Sequence, residues 1–559
     1  MTKTKIVATL GPASFDESII TKMADKGLAT IRINTAHISE GYITDVSRLV
    51  YKINEKYNKK LGIMVDLKGP ELRTGEFPGG ILNITAGNTY GISDNPGVKS
   101  DISINYKISD YVDKDTLIAI NDGRVRFNVE SISNGVITTR AMDTGTIHDR
   151  SRVNIPGKYI DLGVLTDRDK MFLEEGLKNN INFYALSFVQ SRENVYELQD
   201  YIYDRKGQGD IISKIETKSG YDNLESIVKA SDFIMVARGD LGVELPLKEV
   251  AMAQKRIIDI SHKYAVPTIV ATQMLESMVN SDSPTRAEVS DVTNAILDDT
   301  DAVMLSEETA IGKYPVEAVT YLYEISKYVE SQSTSFPEPE NFMVDPIAFS
   351  VAKGVKIMSN TIDVSSIIAM TRTGHTAKIL SAIRPVNDIY AIVQTEWLAR
   401  SINLMRGVIP VVLPEAQAKE ENIYDIINKI APLGLLNPGE KAIVVSGSPS
   451  LYLGGTNNIR VISIGRFIGR GYPAGHNVTG KIDTDAPENG NIILLDRYDS
   501  NIDYSKYNAA IIKSDVTNRI IDKFLDAGKT LVYNAELVKQ INKNTTISID
   551  ADTGIITEI

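Results

Sequence analysis

The sequence contains no cysteine, which removes disulfides, thiolate metal sites and cysteine nucleophiles and gives no sign of an oxidising compartment. Histidine is scarce: five residues leave little for a zinc site. Positive charge is in deficit, with 60 Lys and Arg against 72 Asp and Glu. The net charge of -12 argues against a nucleic-acid surface, which needs a concentrated basic stripe, and for a small-molecule partner. No stretch approaches the roughly 18 apolar residues of a membrane span, and the opening MTKTKIVATLGPAS enters a strand-like run without an apolar signal region. A cytoplasmic location is the expectation. What is present is the balance of folded globular protein, 43% apolar and 24% charged. At roughly 150 residues per domain, the 559 residues make about three or four domains.

Eight short β-branched and aliphatic runs start at Lys5 (KIVATLG), Ala29 (ATIRIN), Gly62 (GIMVDL), Asn182 (NFYALSF), Ile211 (IISKIE), Phe233 (FIMVAR), Pro267 (PTIVATQ) and Ala302 (AVMLSEE). Most are followed by an amphipathic stretch long enough for a crossover helix, so the spacing predicts a (β/α)8 barrel over 1–68 and 155–335. Polar residues gather where the runs end: Arg32 and Asn34, Asp66 and Lys68, Lys214 and Glu216, Arg238 and Asp240, Thr272, Glu308. In such a barrel that rim carries the chemistry. Residues 69–154 interrupt the pattern with short alternating strands between Asp-Gly and Asn-Gly turns, predicting an inserted small β domain. After the linker-like SQSTSFPEPENF, the runs SSIIAMT, DIYAIVQ, VIPVVLP, AIVVSG and IRVISIG predict an open α/β sheet over 346–465. Residues 466–559 read as one more small domain.

Lys214 and Glu216 stand two apart on a strand, so both side chains face one way, a cation beside a hard oxygen ligand. In MVARGDLG, Gly239 lets a ligand approach the backbone before Asp240 supplies a second carboxylate. Two carboxylates that leave coordination positions open suit Mg2+ or Mn2+, and a lysine there adds fixed positive charge where a transferring phosphoryl group spreads negative charge. The competing reading of Lys214 and Glu216 is a barrel-interior ion pair, and Asp240 tips the balance against it. Arg32 reads equally as a buried salt-bridge partner or a bidentate phosphate clamp. Thr272 by itself reads as a helix N-cap, and PTRAEVSD from Pro284 as a helix start.

Several strings together closely resemble the pyruvate kinase family: TKIVATLGPAS from Thr4, RINTAH from Arg32, DLKGPELRTG from Asp66, ISKIE from Ile212, MVARGDLGVE from Met235, ATQMLESM from Ala271, PTRAEVSDV from Pro284 and LSEETAIGKYP from Leu305. They run in the family order across the barrel and flank the insert where the family carries a small β-barrel lid. The resemblance implies transfer of the phosphoryl group of phosphoenolpyruvate to ADP, giving pyruvate and ATP as the final step of glycolysis. It implies Glu216 and Asp240 as ligands of Mg2+ or Mn2+, and Lys214 facing the phosphoryl. Arg32 and Arg73 would hold the phosphate, with Asn34 and His37 on the nucleotide side. The 237–240 turn (Ala237, Arg238, Gly239, Asp240) would receive the substrate, its carboxylate on the backbone of Ala237 and Gly239, and Thr272 would lie over the enolate face that takes a proton. A homotetramer is implied as well.

Departures from the family pattern carry their own expectations. At the potassium site Asn34 and Asp66 remain, but Ala36 and Leu67 replace hydroxyl residues, while Glu71 in KGPE matches potassium-requiring members; the two signals leave a K+ requirement open. Gln190 stands where Arg is common and Glu307 replaces a Gly. TRTGHTA from Thr371 is similar to the family's turn for a phosphorylated effector, through Thr371, Thr373, Gly374 and Thr376; an ordinary helix-starting turn is the alternative. The loop GSPSLYLGG lacks the Trp and Arg of members that bind fructose-1,6-bisphosphate, so that sugar is not the expected activator. Residues 466–559 resemble a phosphohistidine swivelling domain, but Thr517 and Asn518 occupy KSDVTNRIID with no histidine, so a packing or oligomer-stabilising role is expected rather than phosphoryl carriage. The rival functions are a metal-dependent pyruvate-enolate lyase or aldolase, which has no ADP dependence, and a catalytically silent regulatory homologue.

Overall fold

The eight apolar runs become eight strands that are buried almost throughout: β1 (Lys5–Thr9), β2 (Leu28–Asn34), β3 (Gly62–Asp66), β4 (Phe183–Leu186), β5 (Asp210–Ile215), β6 (Phe233–Ala237), β7 (Thr268–Ala271) and β8 (Ala302–Leu305). In this computed structural model, which describes residues 2–95, 97–332, 343–414, 440–447, 455–483, 491–538 and 545–559 with scattered positions between 426 and 437 and at 541–542, they close in sequential order into one parallel barrel. Burial on both faces is why the runs read as continuous apolar stretches rather than as alternation. Helices cover the outside, several of them started by local capping chemistry. Thr285 and Glu288, for example, form a reciprocal capping box at the start of Arg286–Leu297, which bears out the helix-start reading of PTRAEVSD.

The insert folds on its own apolar core around Phe127, Ile118, Ile137 and Val129. Asp122-Gly123 and Asn134-Gly135 all take positive φ, as hairpin turns of that composition require. The strands do not close into the expected small barrel. Six of them form one sheet, while Gly145–His148 and Ile81–Ile84 form a separate two-stranded ribbon. The six-stranded sheet ends on two-residue edges, Val153–Asn154 and Ile102–Ser103, too short to carry the ladder further.

By internal contacts the chain divides into two units: 1–346 with 381–384 and 395–410, and 347–380 with 385–394 and 411–559. Residues 381–384 and 395–410 thus fall in the first unit. The C-terminal sheet has five strands in the order Val408–Val412, Asp388–Val393, Ser366–Met370, Lys441–Ser446, Asn458–Ser463, the last pair antiparallel. From Arg466 to Glu558 seven strands close into a second, mixed barrel with the helix Asn518–Asp526 on it. Among the described residues no helix is long and apolar enough to cross a membrane.

Candidate active site

The strand ends place the expected residues together at the carboxyl mouth of the barrel. Arg32, at the end of β2, donates from Nε to Asp66 Oδ2 at 2.7 Å and from Nη1 to Thr9 Oγ1 at 2.9 Å. Lys214, near the end of β5, donates from Nζ to the other Asp66 oxygen at 3.1 Å and to Ser187 Oγ at 2.8 Å, and lies 3.0 Å from Glu216 Oε1. Burial pushes the Lys214 ammonium toward losing its proton, but the charges of Asp66 and Glu216 outweigh it and hold the group above its ordinary range. Burial likewise works against the Asp66 carboxylate, and Lys214 and Arg32 overcome it, leaving its pKa below the usual value.

Glu216 behaves differently. One oxygen accepts the Phe188 amide at 2.8 Å, whereas Oε1, though close to Lys214, is in no hydrogen-bond geometry with any group. Burial pushes this carboxyl up to about 7; the nearby Asp240 charge adds to the rise and Lys214 opposes it. A buried acid oxygen without a hydrogen-bond donor is costly unless it has a use.

The β7 strand ends in a strained turn. Thr272 takes φ 67° and Gln273 φ 55°, and a β-branched residue in the left-handed region is an outlier that its surroundings must enforce. Arg238 does so, donating to the Thr272 carbonyl at 2.7 Å and the Gln273 carbonyl at 3.1 Å while Asp291 anchors it at 2.8 Å. Buried Glu308 accepts the Leu275 amide at 3.1 Å behind the same turn. Thr272 is thus no helix N-cap: its Oγ1 accepts the Gly239 amide at 2.9 Å and donates to the Ala271 carbonyl at 2.6 Å. The Arg238 side chain is engaged by this turn, and the Gly239 amide is held by Thr272 Oγ1 beside it.

Other expected residues lie further out. The Asn34 side chain caps a short turn by accepting the Ala36 amide, and His37 is exposed. Arg73 is engaged by Glu71 at 2.9 Å and by the Arg150 carbonyl at 2.7 Å. In the second unit Thr371 Oγ1 accepts the Gly374 amide at 3.0 Å and Thr376 Oγ1 pairs with Thr456 Oγ1 at 2.9 Å, the pattern of a helix-starting turn before His375–Ala382. Most of GSPSLYLGG lies outside the described residues.

Three residues escaped the sequence reading. Ser187 and Phe188 follow β4, as polar and aromatic residues at a strand end that the barrel logic covered but that carried no charge. Arg152, just before the insert's last strand segment, pairs with the Asp240 carboxylate from 88 positions away, a contact with no local signal.

Residues 1–319 match the family profile described as pyruvate kinase, barrel domain, and 350–462 that described as pyruvate kinase, alpha/beta domain. A curated pyruvate kinase of Thermoplasma acidophilum is 47% identical over 554 residues, covering 99% of this chain and 98% of that one. Pyruvate kinase 2 of a Synechocystis strain is 34% identical, covering 86% of this chain and 82% of its own. A crystal structure of a pyruvate kinase from Cryptosporidium parvum superposes with a TM-score of 0.77 at 32% identity, over 83% of this chain and 96% of that one.

Proposed function

The chain belongs to the pyruvate kinase family and is a phosphotransferase between phosphoenolpyruvate and ADP, and we propose that Lys214, Glu216, Asp240, Arg32 and Thr272 carry that reaction. The observation that supports this site above all is the Glu216 oxygen left without a hydrogen bond beside the Lys214 ammonium. A divalent cation fits there: Glu216 and Asp240 would hold it as hard oxygen ligands, and its bound charge would offset the negative charge of substrate oxygens.

The protein groups divide the remaining work. Lys214 stabilises the charge spread over the phosphoryl as it leaves one oxygen for another, and Arg32, fixed by Asp66 and Thr9, orients it. The backbone at Ala237 and Gly239 receives the substrate carboxylate, and Arg73 supports the phosphate region after leaving Glu71. After transfer the enolate carbon needs a proton, delivered over the face covered by Thr272 through water. Asn34 and His37 lie toward the nucleotide, and closure of the insert as a lid excludes water from the phosphoryl.

A monovalent cation finds few donors without a hydrogen bond here. Ala36 and Leu67 bring no hydroxyl, the two Asp66 oxygens accept from Arg32 and Lys214, the Asn34 oxygen accepts the Ala36 amide, and the Leu67 carbonyl accepts the Ser187 hydroxyl at 2.7 Å. The same reading makes the protein a cytoplasmic homotetramer. A phosphorylated effector other than fructose-1,6-bisphosphate would bind near Thr373, and the swivelling-type terminal segment would act in packing rather than phosphoryl carriage.

The test is pyruvate formation with Mg2+, with and without ADP, for wild type and Lys214→Met. Turnover requires ADP, and the variant loses on the order of 10²–10³ in kcat while binding phosphoenolpyruvate. An unchanged kcat in Lys214→Met removes Lys214 from the chemistry, and ADP-independent cleavage of substrate returns the site to the lyase reading.

A further inference from the structure

Arg152 is placed by the insert but lives in the barrel mouth. Its guanidinium bonds Asp240 and lies over the Phe188 ring at 4.6 Å, with 16% of the side chain exposed. Besides Asp240, the charges of Glu216 and Glu71 act on it. Phe188 takes φ 55°, a left-handed conformation that puts its amide on Glu216 and its ring beneath Arg152 at once. Two residues along, Asn154 Nδ2 donates to Glu244 Oε1 at 2.9 Å. Asp240 and Glu244 are one turn apart on the helix Arg238–Glu244, so the insert's last strand segment and the residue before it are fastened to one helix face at two points.

The two fastenings differ chemically. The Asn154 bond is neutral on one side and competes with nothing. Asp240, however, is claimed by a cationic side chain and, in the site as proposed above, is also wanted by a divalent cation. Arg152 takes only Oδ1 of Asp240, and two cations sharing one carboxylate repel, so with a divalent ion held there the Arg152 bond would be weakened. An open cleft of about 70 Å³, lined by Arg152, Phe188, Gln190 and Glu244, adjoins the side chain on its solvent side. Once released, a stacked guanidinium at the mouth is a planar fork suited to phosphate oxygens.

We propose that Arg152 is a substrate-binding residue held in reserve on Asp240: the divalent cation frees it, and the guanidinium then engages phosphate oxygens of the bound substrate. In the substrate-free protein it stands in for the missing positive charge, and in the loaded protein it adds to the charge that Lys214 supplies.

This rests on the Glu216–Asp240 reading, and the experiment separates the two. Mn2+ binding to the substrate-free full chain is followed through the spectrum of the free ion for wild type, R152Q, R152K and N154A. The Michaelis constants for phosphoenolpyruvate and for ADP are then measured at saturating Mg2+. R152Q is expected to bind Mn2+ about tenfold more tightly, the scale of a close charge pair removed. Its Michaelis constant for one phosphate-bearing substrate rises about tenfold with a smaller change in kcat, and which constant moves assigns the source of the oxygens. R152K falls between, and N154A leaves Mn2+ affinity unchanged. A merely structural latch would move R152Q and N154A alike. Mn2+ affinity unchanged or weakened in R152Q, or both Michaelis constants unmoved, overturns the role of Arg152. Absence of Mn2+ binding in active wild type overturns the carboxylate site itself.

Discussion

The barrel carries a buried charge cluster at each end, and the two are built on opposite terms. At the amino end, Asp299 and Asp301 before β8 meet His262 and Arg384, all almost fully buried. Arg384 donates from Nε to both Asp299 oxygens at 2.9 Å and from Nη1 to Asp301 at 2.7 Å. Its remaining nitrogen donates to the Asp299 carbonyl at 2.9 Å and to His262 Nε2. At the carboxyl end, Lys214 lies between two acids, one oxygen of Glu216 lacks any hydrogen bond, and Thr272 is strained. A buried network whose acids are matched by a planar fork fixes a fold. One left with an ion-paired oxygen that no hydrogen bond satisfies, and with a strained neighbour, is poised for something that arrives later.

The sharpest way to break this contrast is to remove one cation from each end. Arg384→Met leaves buried Asp299 with only the more distant Arg406, at 3.9 Å, and strips Asp301 of its guanidinium partner; it is expected to cost about 3–5 kcal/mol of stability, as when one partner of a buried pair is deleted. Lys214→Met leaves Asp66 still paired with Arg32, and Glu216, which burial already holds far above the ordinary carboxyl range, can shed its charge by taking up a proton, so the unfolding midpoint moves less while kcat falls as described above. Urea unfolding beside steady-state kinetics checks both. A large stability loss in the Lys214 variant would make the carboxyl end structural too.

Acid provides a second, smaller lever on the amino end. Burial, helped by the Arg384 charge, holds His262 below its ordinary value of 6.5, and only an unprotonated Nε2 can accept from Arg384. The unfolded chain therefore takes up a proton at His262 that the folded chain resists. The stability tied to this residue is present above about pH 6.5 and is lost as pH falls below that value toward the depressed folded pKa. Asp301, whose pKa is lowered, adds a loss only at still lower pH, below its ordinary 3.8. Unfolding midpoints measured from pH 8 to 5 should decline in wild type and flatten in His262→Gln. An unchanged slope in that variant would assign the decline to other groups.

What the sequence disclosed follows the range of the forces involved. Strand position is local, so all eight barrel strands and the carboxyl ends bearing Lys214, Glu216 and Asp240 were legible from apolar runs and a period of two. Thr272 was legible only through the family resemblance: by propensity it is a helix cap, and nothing local announces that Arg238 and Asp291 will force it to φ 67°. Arg152 and Arg384 were not legible at all, because their partners lie 88 and 83–85 residues away. The insert's alternation showed strands but not closure, which depends on which edges find each other.

The smallest expected effect concerns potassium, and it bears on what balances the carboxyl-end acids. If a monovalent ion were needed beside Asp66, the site would be short of positive charge without it. Arg32 and Lys214 already occupy both Asp66 oxygens, and Arg152 brings a third cation to the mouth whether it rests on Asp240 or on substrate. Turnover measured with Mg2+ in potassium salts and in tetramethylammonium salts at matched ionic strength should therefore differ by less than about twofold, well under the tenfold that 1.4 kcal/mol represents. The Michaelis constant for phosphoenolpyruvate should be equally indifferent. Strong potassium activation would mean that the hydrogen bonds around Asn34, Asp66 and Leu67 rearrange to admit an ion. In that case the carboxyl end lacks a charge that the amino end, with Arg384 in place, does not.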